Sequence, residues 1–274
     1  MRNNSINAHK EAKNVLCDYS KKKSDYVFIH YARQNCFEDA YEKGPRVIAI
    51  VVMNAESGQT IVFSLKKIAE RKGKNFFEST EAERDKMEKD MLQNFFDYTK
   101  NNSTKKWLHW NMKNNNFGFS AIEERFRNLG GNPEQLDEDR LINISVLLKK
   151  KYGTNYAKDN RWNGKMMGKM YDVFVLNNII DSNILNGEQE IKEYILENIS
   201  SIEQSILGKI KAFQIILEKA ADNDLKTRGN IIKDVYGVSL NGIAEYIQSN
   251  ALLAILFSII GGIIVTIVCN FLGL

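Results

Sequence analysis

The chain has 274 residues, of which 43% are hydrophobic and 26% are charged, and its formal net charge at pH 7 is +4. A chain of this length and apolar content can bury a sizeable core, which excludes intrinsic disorder as its class. Lys and Arg exceed Asp and Glu only by 38 to 34, so global charge gives no special reason to expect nucleic acid or anionic lipid as a partner. The three cysteines have no CxxC spacing, which indicates neither a disulfide framework nor a zinc site and favours a reducing compartment.

The N-terminal part of the sequence predicts a charged leader followed by strands. Residues 1–23 carry charges throughout, so they are predicted to be a helical or flexible segment rather than a secretory signal. β-branched and aromatic runs then predict three strands. They lie at 25–31 (DYVFIHY), 46–54 (RVIAIVVMN) and 60–65 (TIVFSL), with the turn signal AESGQ joining the last two into a hairpin.

The middle of the chain alternates helical and strand patterns. Residues 80–100 predict an amphipathic helix, 106–110 (KWLHW) a short strand, and 118–129 a second helix that ends at a Gly-Gly pair. The resulting order is βββαβα. It predicts the α/β class, with a mixed sheet flanked by helices.

Helical patterns dominate the remainder of the soluble part. They cover 141–152, 166–178 and 188–221, the last with isoleucines at steps of three and four that predict one long helix. The predicted organisation is therefore an N-terminal segment (1–23), an α/β domain (24–155), a helical C-terminal extension (156–245) and one transmembrane helix (246–274).

The last part of the sequence predicts a membrane anchor. No charged side chain follows Glu245, and residues 251–274 are almost wholly apolar. Roughly 20 helical residues cross the hydrocarbon core of a bilayer, so this segment predicts a single-pass tail anchor with the soluble domain in the cytoplasm. The low proline content favours a bacterial source, and hence the bacterial inner membrane.

Small residues recur along one side of this anchor. Ala254, Ser258, Gly262 and Thr266 are four positions apart, which places them on one helix face that lets two backbones approach closely in lipid. We therefore predict a homo-oligomer formed through this face. The alternative is that the Gly261–Gly262 pair kinks the helix or turns a re-entrant hairpin.

The most distinctive local motif is WLHWNMKNNNFGF at 107–119. A strand, a polar loop and a helix, preceded by the order above, resemble the ribonuclease H-like fold, in particular the DEDD 3′–5′ exonuclease-type domains, over about residues 24–155. The resemblance implies a two-metal nuclease site, in which carboxylates on the first strand, after the fourth strand and on a late helix hold two divalent cations.

This sequence lacks the carboxylates that the resemblance requires. The matching positions hold Gln34, Asn111 and Asn143, and neutral amides are weak ligands for Mg²⁺. We therefore expect no metal, no other cofactor and no catalytic residues, and a candidate nucleotide or oligonucleotide site instead. Its residues are Gln34, His109, Trp110, Asn111, Phe117 and Asn143. The plainer interpretation is that the aromatic residues are core and that the histidines at 30 and 109 are buried and structural.

Three functional hypotheses follow. The first is a membrane effector whose inactive ribonuclease H-like domain senses a nucleotide or a protein, such as a co-encoded partner, and controls helix oligomerisation, a layout similar to bacterial antiviral effectors. The second is a membrane-tethered, Mg²⁺-dependent nuclease that uses other acids. These are Glu38, Asp39, Glu123, Asp137 and Asp139. The third is an adaptor whose isoleucine-rich helix recruits a partner to the membrane.

Overall fold

The structure is a computed structural model that describes residues 2–34, 44–113, 117–162, 165–179, 181–237 and 240–272. The strands it describes are β1 (Tyr26–Arg33), β2 (Val47–Asn54), β3 (Thr60–Ser64), β4 (Lys106–His109), β5 (Leu141–Asn143), β6 (Asn160–Trp162) and β7 (Lys165–Met167). The helices it describes are α1 (Arg2–Lys21), α2 (Leu65–Arg71), α3 (Glu81–Asn101), α4 (Phe119–Asn128), α5 (Ile144–Tyr152), α6 (Lys169–Leu176), α7 (Gly187–Ile195), α8 (Ile199–Ala221), α9 (Leu240–Ser249) and α10 (Ala251–Leu272).

A five-stranded mixed sheet has the order β3-β2-β1-β4-β5. β2 pairs antiparallel with β1 and β3, whereas β4 is parallel to both β1 and β5. Because β1 and β2 are buried along almost their whole length, their apolar runs are continuous rather than alternating. The predicted α/β class with a mixed sheet is confirmed.

Helices cover both faces of this sheet. On one face, the ring of Phe28 in β1 lies 6.2 Å from Tyr19 of α1, and that of His30 lies 5.7 Å from Phe213 of α8. On the other face, Phe63 of β3 lies 5.6 Å from Phe95 of α3, and α4 packs against α3. The core therefore consists of two apolar layers, one on each side of the strands.

The long helix predicted for 188–221 is wrong in one respect, because the structure breaks it into α7 and α8. Glu197 adopts a φ of +59° at the break, and the Asn198 side chain accepts a hydrogen bond from the backbone N–H of Ser201 to cap α8. The isoleucine stripe continues across the break, so periodicity alone gave no sign of it. The apolar face of α8 packs on β1 and β2. This face is therefore covered by the sheet and is not open to a partner, as the adaptor hypothesis would need.

Short strands account for two further differences. The first three residues of the predicted helix 141–152 form β5, and the start of the predicted helix 166–178 belongs to the β6–β7 hairpin. Strands of three residues are too short to show a recognisable alternation. β5 forms because it pairs with β4, and β6 and β7 form because they pair with each other.

The chain divides into two compact units. The larger comprises Asn14–Leu147 and Lys158–Lys226 and contains the five-stranded sheet, whereas the smaller comprises Met1–Lys13, Leu148–Ala157 and Thr227–Leu274 and contains α9 and α10. In the smaller unit, His9 lies 5.6 Å from the ring of Tyr236, and Tyr236 lies 5.3 Å from that of Tyr246. These aromatic contacts join the N-terminal residues of α1 to α9.

α10 is a continuous helix, apolar and long enough to span a membrane, and none of the residues in its 18-residue window Ala251–Val268 is buried. Its continuity through Gly261 and Gly262 shows that the re-entrant hairpin is wrong. A core helix of a soluble protein would be largely covered by its own chain. α10 therefore exposes a larger continuous apolar surface than soluble proteins usually leave in contact with water.

Candidate functional site

Two asparagines meet where β4 and β5 end. The backbone N–H of Asn111 donates to Oδ1 of Asn143 at 3.3 Å, and Nδ2 of Asn143 donates to Oδ1 of Asn111 at 3.2 Å. β1, β4 and β5 run parallel, and the carboxyl ends of parallel strands form the usual ligand-binding edge of an α/β sheet. The structure thus brings two of the candidate site residues into contact.

The asparagine pair is engaged in holding the backbone. Oδ1 of Asn143 also accepts a hydrogen bond from the backbone N–H of Ser145 at 3.0 Å, which caps the start of α5. Asn111 has a φ of +53°, a left-handed conformation that asparagine tolerates better than most residues. Both amide oxygens therefore accept hydrogen bonds already, and the pair does not fit the demands of a divalent cation for charged oxygen ligands.

The candidate aromatic residues at this edge are packed against neighbours. Trp110 is 5% exposed and stacks on Phe213 of α8 at 5.8 Å. Phe117 stacks on Tyr31 at 4.5 Å, and the Arg33 guanidinium lies 5.9 Å from its ring. The hydroxyl of Tyr31 also accepts a hydrogen bond from the backbone N–H of Gly118 at 3.1 Å. A base could stack on these rings only by displacing such contacts.

Two buried histidines flank the same edge from opposite faces of the sheet. His109 lies edge-on to Phe119 of α4 at 5.5 Å, whereas His30 packs on α8. Nδ1 of His109 accepts a hydrogen bond from the backbone N–H of Met112 at 3.0 Å, so Nε2 carries the proton of the neutral ring. Among the described residues, Nε2 of His109 and Nδ1 of His30 have no hydrogen-bond partner.

Burial controls the protonation of both rings. It lowers the pKa of His109 to about 3, and the nearby Lys113 ammonium acts in the same direction. Burial likewise lowers the pKa of His30, assisted by Lys209 and His109. Both imidazoles are therefore neutral at physiological pH, and neither is poised for proton transfer near pH 7.

We expect replacement of His109 by Asn to reduce the acid sensitivity of the fold. The unfolded chain takes up a proton at His109 as pH falls through about 6.5, whereas the folded chain resists until about pH 3, so stability present above pH 6.5 is lost on acidification. Between pH 7.5 and 5.0 this loss is about 2 kcal/mol. His109→Asn keeps an acceptor for Met112 without titrating. Its melting temperature should therefore fall about 4 to 8 °C less than that of the parent protein over this interval. Equal falls in the two proteins would show that His109 does not contribute.

Gln34 lies apart from the asparagine pair. β1 pairs with β4 only as far as Ile29 and His109, and Gln34 follows Ile29 by five residues whereas Asn111 follows His109 by two. Its Nε2 donates to the Tyr194 hydroxyl at 3.0 Å, and its Oε1 accepts from the backbone N–H of Arg46 at 3.4 Å. Among the six candidate ligand residues, Asn111 and Asn143 are therefore joined by direct hydrogen bonds, whereas Gln34 bonds to Tyr194 and Arg46.

A buried charge network near Gln34 escaped the sequence prediction. Glu88 is fully buried and accepts hydrogen bonds from Arg46 at 2.8 Å, from Arg125 at 2.6 Å and from the backbone N–H of Val47 at 2.8 Å. Asp85 accepts from the same two arginines at 2.8 and 3.2 Å. Glu88 occupies the apolar face of α3, so a charge within a hydrophobic stripe was the signal available in the sequence.

Three of the five acids proposed for the nuclease hypothesis, Glu123, Asp137 and Asp139, lie in the described part of the chain, and their partners there are local. Asp137 caps a short 3₁₀ turn by accepting a hydrogen bond from the backbone N–H of Asp139. Both residues precede β5 and so lie at its amino end, opposite the end that carries Asn143. Glu123 pairs with Arg127 within α4. Glu38 and Asp39 lie outside the described residues. Within the part of the chain that the structure describes, no group of three His, Cys, Asp or Glu side chains could hold a metal ion.

The small residues of α10 do lie on one helix face, and their hydroxyls are already bonded. Ser258 Oγ donates to the carbonyl of Ala254 at 2.8 Å, and Thr266 Oγ1 donates to that of Gly262 at 2.9 Å. Such bonds to the residue four positions earlier satisfy the hydroxyl within the helix. The stripe therefore presents small side chains whose hydroxyls need no partner outside the helix.

No protein-family model matches the sequence, and no curated protein matches it significantly. The function must therefore be argued from the residues themselves.

Proposed function

We propose that this protein is a membrane-anchored, non-enzymatic effector in which a ribonuclease H-like domain senses a nucleotide or protein signal and controls the association of α10 with copies of itself. The observation that carries the proposal is α10, whose membrane-length apolar surface is uncovered by its own chain. A bacterial inner membrane and a role in antiviral defence are part of the same proposal, on the analogy of layout alone.

The sheet supports the ribonuclease H-like part of the proposal. Three consecutive antiparallel strands are followed by two parallel strands that alternate with helices, as the resemblance requires. The positions that would hold metal-binding carboxylates carry the mutually bonded Asn111 and Asn143. An amide pair of this kind supports a domain that recognises a ligand without cleaving it, and the exposed Asn111 is the part of this edge that a signal would meet.

The proposal predicts that bulky residues on the small-residue stripe weaken self-association. Replacing Ala254, Ser258 and Gly262 by Phe prevents the backbones from approaching closely, and this removes the packing that associates helices in lipid. We therefore expect association of the full-length protein to weaken about tenfold. Energy transfer between donor- and acceptor-labelled copies in lipid vesicles measures the change.

The control places the same three Phe residues on the opposite side of α10, at Leu256, Ile260 and Ile267, all exposed in the structure. This variant should associate as the parent protein does. If both triple variants associate equally well, the stripe is not the interface. Metal-dependent cleavage of labelled single-stranded DNA or RNA by the parent protein would instead favour the nuclease hypothesis.

A further inference from the structure

β3 is an end strand of the five-stranded sheet, so one of its edges has no neighbouring strand. β2 pairs with one side of β3, and no described strand pairs with the other. An open edge pairs readily with another strand unless charges, proline or a bulge block it. The five residues of β3 (TIVFS) contain no charge and no proline, and their register with β2 is regular. β3 is therefore an edge without the usual protection.

Three residues of β3 turn backbone groups to this open edge. In an antiparallel pair, hydrogen-bonded and non-bonded positions alternate along each strand. Asn54 ends β2 and Gln59 precedes β3, and the backbone N–H of Asn54 donates to the carbonyl of Gln59 at 2.9 Å, so these two form a bonded pair. Counted from that pair along the register, Ile61 and Phe63 bond to β2. The intervening residues face the open edge, and these are Thr60, Val62 and Ser64.

A groove with an apolar floor and a volume of about 420 Å³ lies beside this strand. Phe63 lies 5.6 Å from Phe95 of α3, so it faces the α3 side of the sheet, and Ile61, two positions earlier, faces the same side. Ile68 of α2 and Met91 of α3 are 4% and 0% exposed and line the groove as well. The groove can therefore take apolar side chains from a strand that is added at the open edge.

The two ends of β3 carry complementary charges. Lys67 and Arg71 lie one turn apart on α2, which follows β3, whereas Glu56 lies in the turn that precedes β3, and all three are exposed. Glu70 lies between the two cations and pairs with Lys66 at 3.6 Å. Within the described part of the chain, Lys67 and Arg71 pair with no carboxylate and Glu56 pairs with no cation. Opposite charges at the two ends of one strand come together when two copies of that strand pair antiparallel.

We propose that β3 pairs antiparallel with β3 of a second copy of this chain, with Val62 opposite the partner's Val62, and so joins two five-stranded sheets into one of ten strands. In this register Thr60 lies opposite the partner's Ser64, so residues that face the open edge meet one another, as bonded positions must. Ile61 lies opposite the partner's Phe63. This pair continues the apolar row on the α3 side of the sheet, where the groove lies.

The same register brings the complementary charges together. Beyond its Thr60, the partner's chain continues into the turn that carries Glu56, alongside the end of β3 at which α2 begins. The partner's Glu56 therefore lies at the end that carries Lys67 and Arg71, and two-fold symmetry repeats this contact. The interface belongs to the larger unit and includes no residue of α10, so it goes beyond the association through the membrane helix proposed above.

Cysteine cross-linking of the full-length protein in lipid vesicles tests the register. The three native cysteines are replaced by serine, and either Val62→Cys or the matched control Thr60→Cys is added. Both positions lie on the same face and edge of β3. In the proposed pair, the Cα atoms of Val62 and its copy are about 5.5 Å apart, whereas four residues separate Thr60 from its copy's level, or roughly 14 Å. A short bifunctional thiol reagent should therefore cross-link Val62→Cys about tenfold more efficiently than Thr60→Cys.

The position dependence separates this interface from contact through α10. Copies that meet through α10 alone would bring both cysteines together equally often, so equal cross-linking of the two variants would overturn the proposal. Failure of both variants to cross-link would also overturn it, and would leave the open edge to an extended segment of another protein. Thermal melting of each variant checks that it is folded.

Charge reversal in the Val62→Cys protein supplies a second measurement. Glu56→Lys should reduce cross-linking about fivefold, and Lys67→Glu with Arg71→Glu should do the same, because like charges then meet across the pair. The three reversals together restore opposite charges and should restore cross-linking. Glu124→Lys, at an exposed position of α4, is the control and should change nothing. A combined variant that cross-links as poorly as the separate reversals would overturn the proposed register.

Discussion

Two lysines in the middle of α10, at Ile260 and Ile264, should release the protein from membranes. Both side chains are exposed in the structure, at 43% and 55%, so the substitutions break no packing within the chain. A lysine near the centre of a membrane helix costs roughly 2.5 to 3.5 kcal/mol on insertion scales, or about 5 to 7 kcal/mol for the pair. We expect most of the full-length variant in the soluble or aggregated fraction after carbonate washing, where the parent protein remains with the membrane.

The matched control uses the same change outside the membrane segment. Ile195 and Leu196, at the end of α7, are 72% and 62% exposed, so Ile195→Lys and Leu196→Lys add equal charge to an exposed apolar pair. This variant should stay with the membrane. A carbonate-resistant Ile260→Lys/Ile264→Lys protein would contradict the assignment of α10 as a membrane span.

The sequence predicted four of the five strands of the large sheet, β1 to β4, because each is either a buried apolar run or joined to its neighbour by a clear turn. The predicted runs at 46–54 and 106–110 match β2 and β4 to within one residue at each end. The hairpin prediction is confirmed by the antiparallel pairing of β2 with β3. α3 was also predictable, because Thr80 and Glu83 form a capping box before a regular apolar stripe.

What the sequence could not supply depends on tertiary contacts. The break between α7 and α8 interrupts no periodicity, and β5 forms because β4 offers an edge. The sequence predicted Asn111 and Asn143 as members of one candidate site. It did not predict their reciprocal hydrogen bonds, which accompany a left-handed backbone at Asn111. The position of Gln34 depends on how far β1 extends beyond β4, which no local pattern encodes.

The Arg46–Glu88–Arg125 network shows most clearly how a contact between distant segments stabilises this fold. Arg46 directly precedes β2, Glu88 lies on α3 and Arg125 lies on α4, and the three side chains are 3%, 0% and 5% exposed. A buried charge is tolerated only when it is paired and hydrogen-bonded. Removing one of the three side chains would therefore leave a buried charge without its partner. The network thus ties two helices to one end of the sheet.

Replacing Glu88 by Gln should destabilise the larger unit by about 3 to 5 kcal/mol, the usual cost of removing one partner from a buried ion pair. The amide keeps the shape of the side chain, but it leaves the partly buried Asp85 as the one acid that Arg46 and Arg125 still share. It also replaces an acceptor oxygen by an NH₂ group that faces their donors. Thermal unfolding of the full-length protein in mild detergent should show a melting temperature lower by roughly 6 to 20 °C. Asp90→Asn is the control on the same helix as Glu88, since it removes a partly exposed carboxylate of α3 that pairs with Lys72 at the end of α2. It should change the melting temperature by less than about 4 °C because surface pairs contribute at most about 1 kcal/mol. Equal shifts of the melting temperature in the two variants would show that the buried Glu88 contributes no more to stability than a surface carboxylate. α3 and α4 would then be held to the sheet by apolar packing alone.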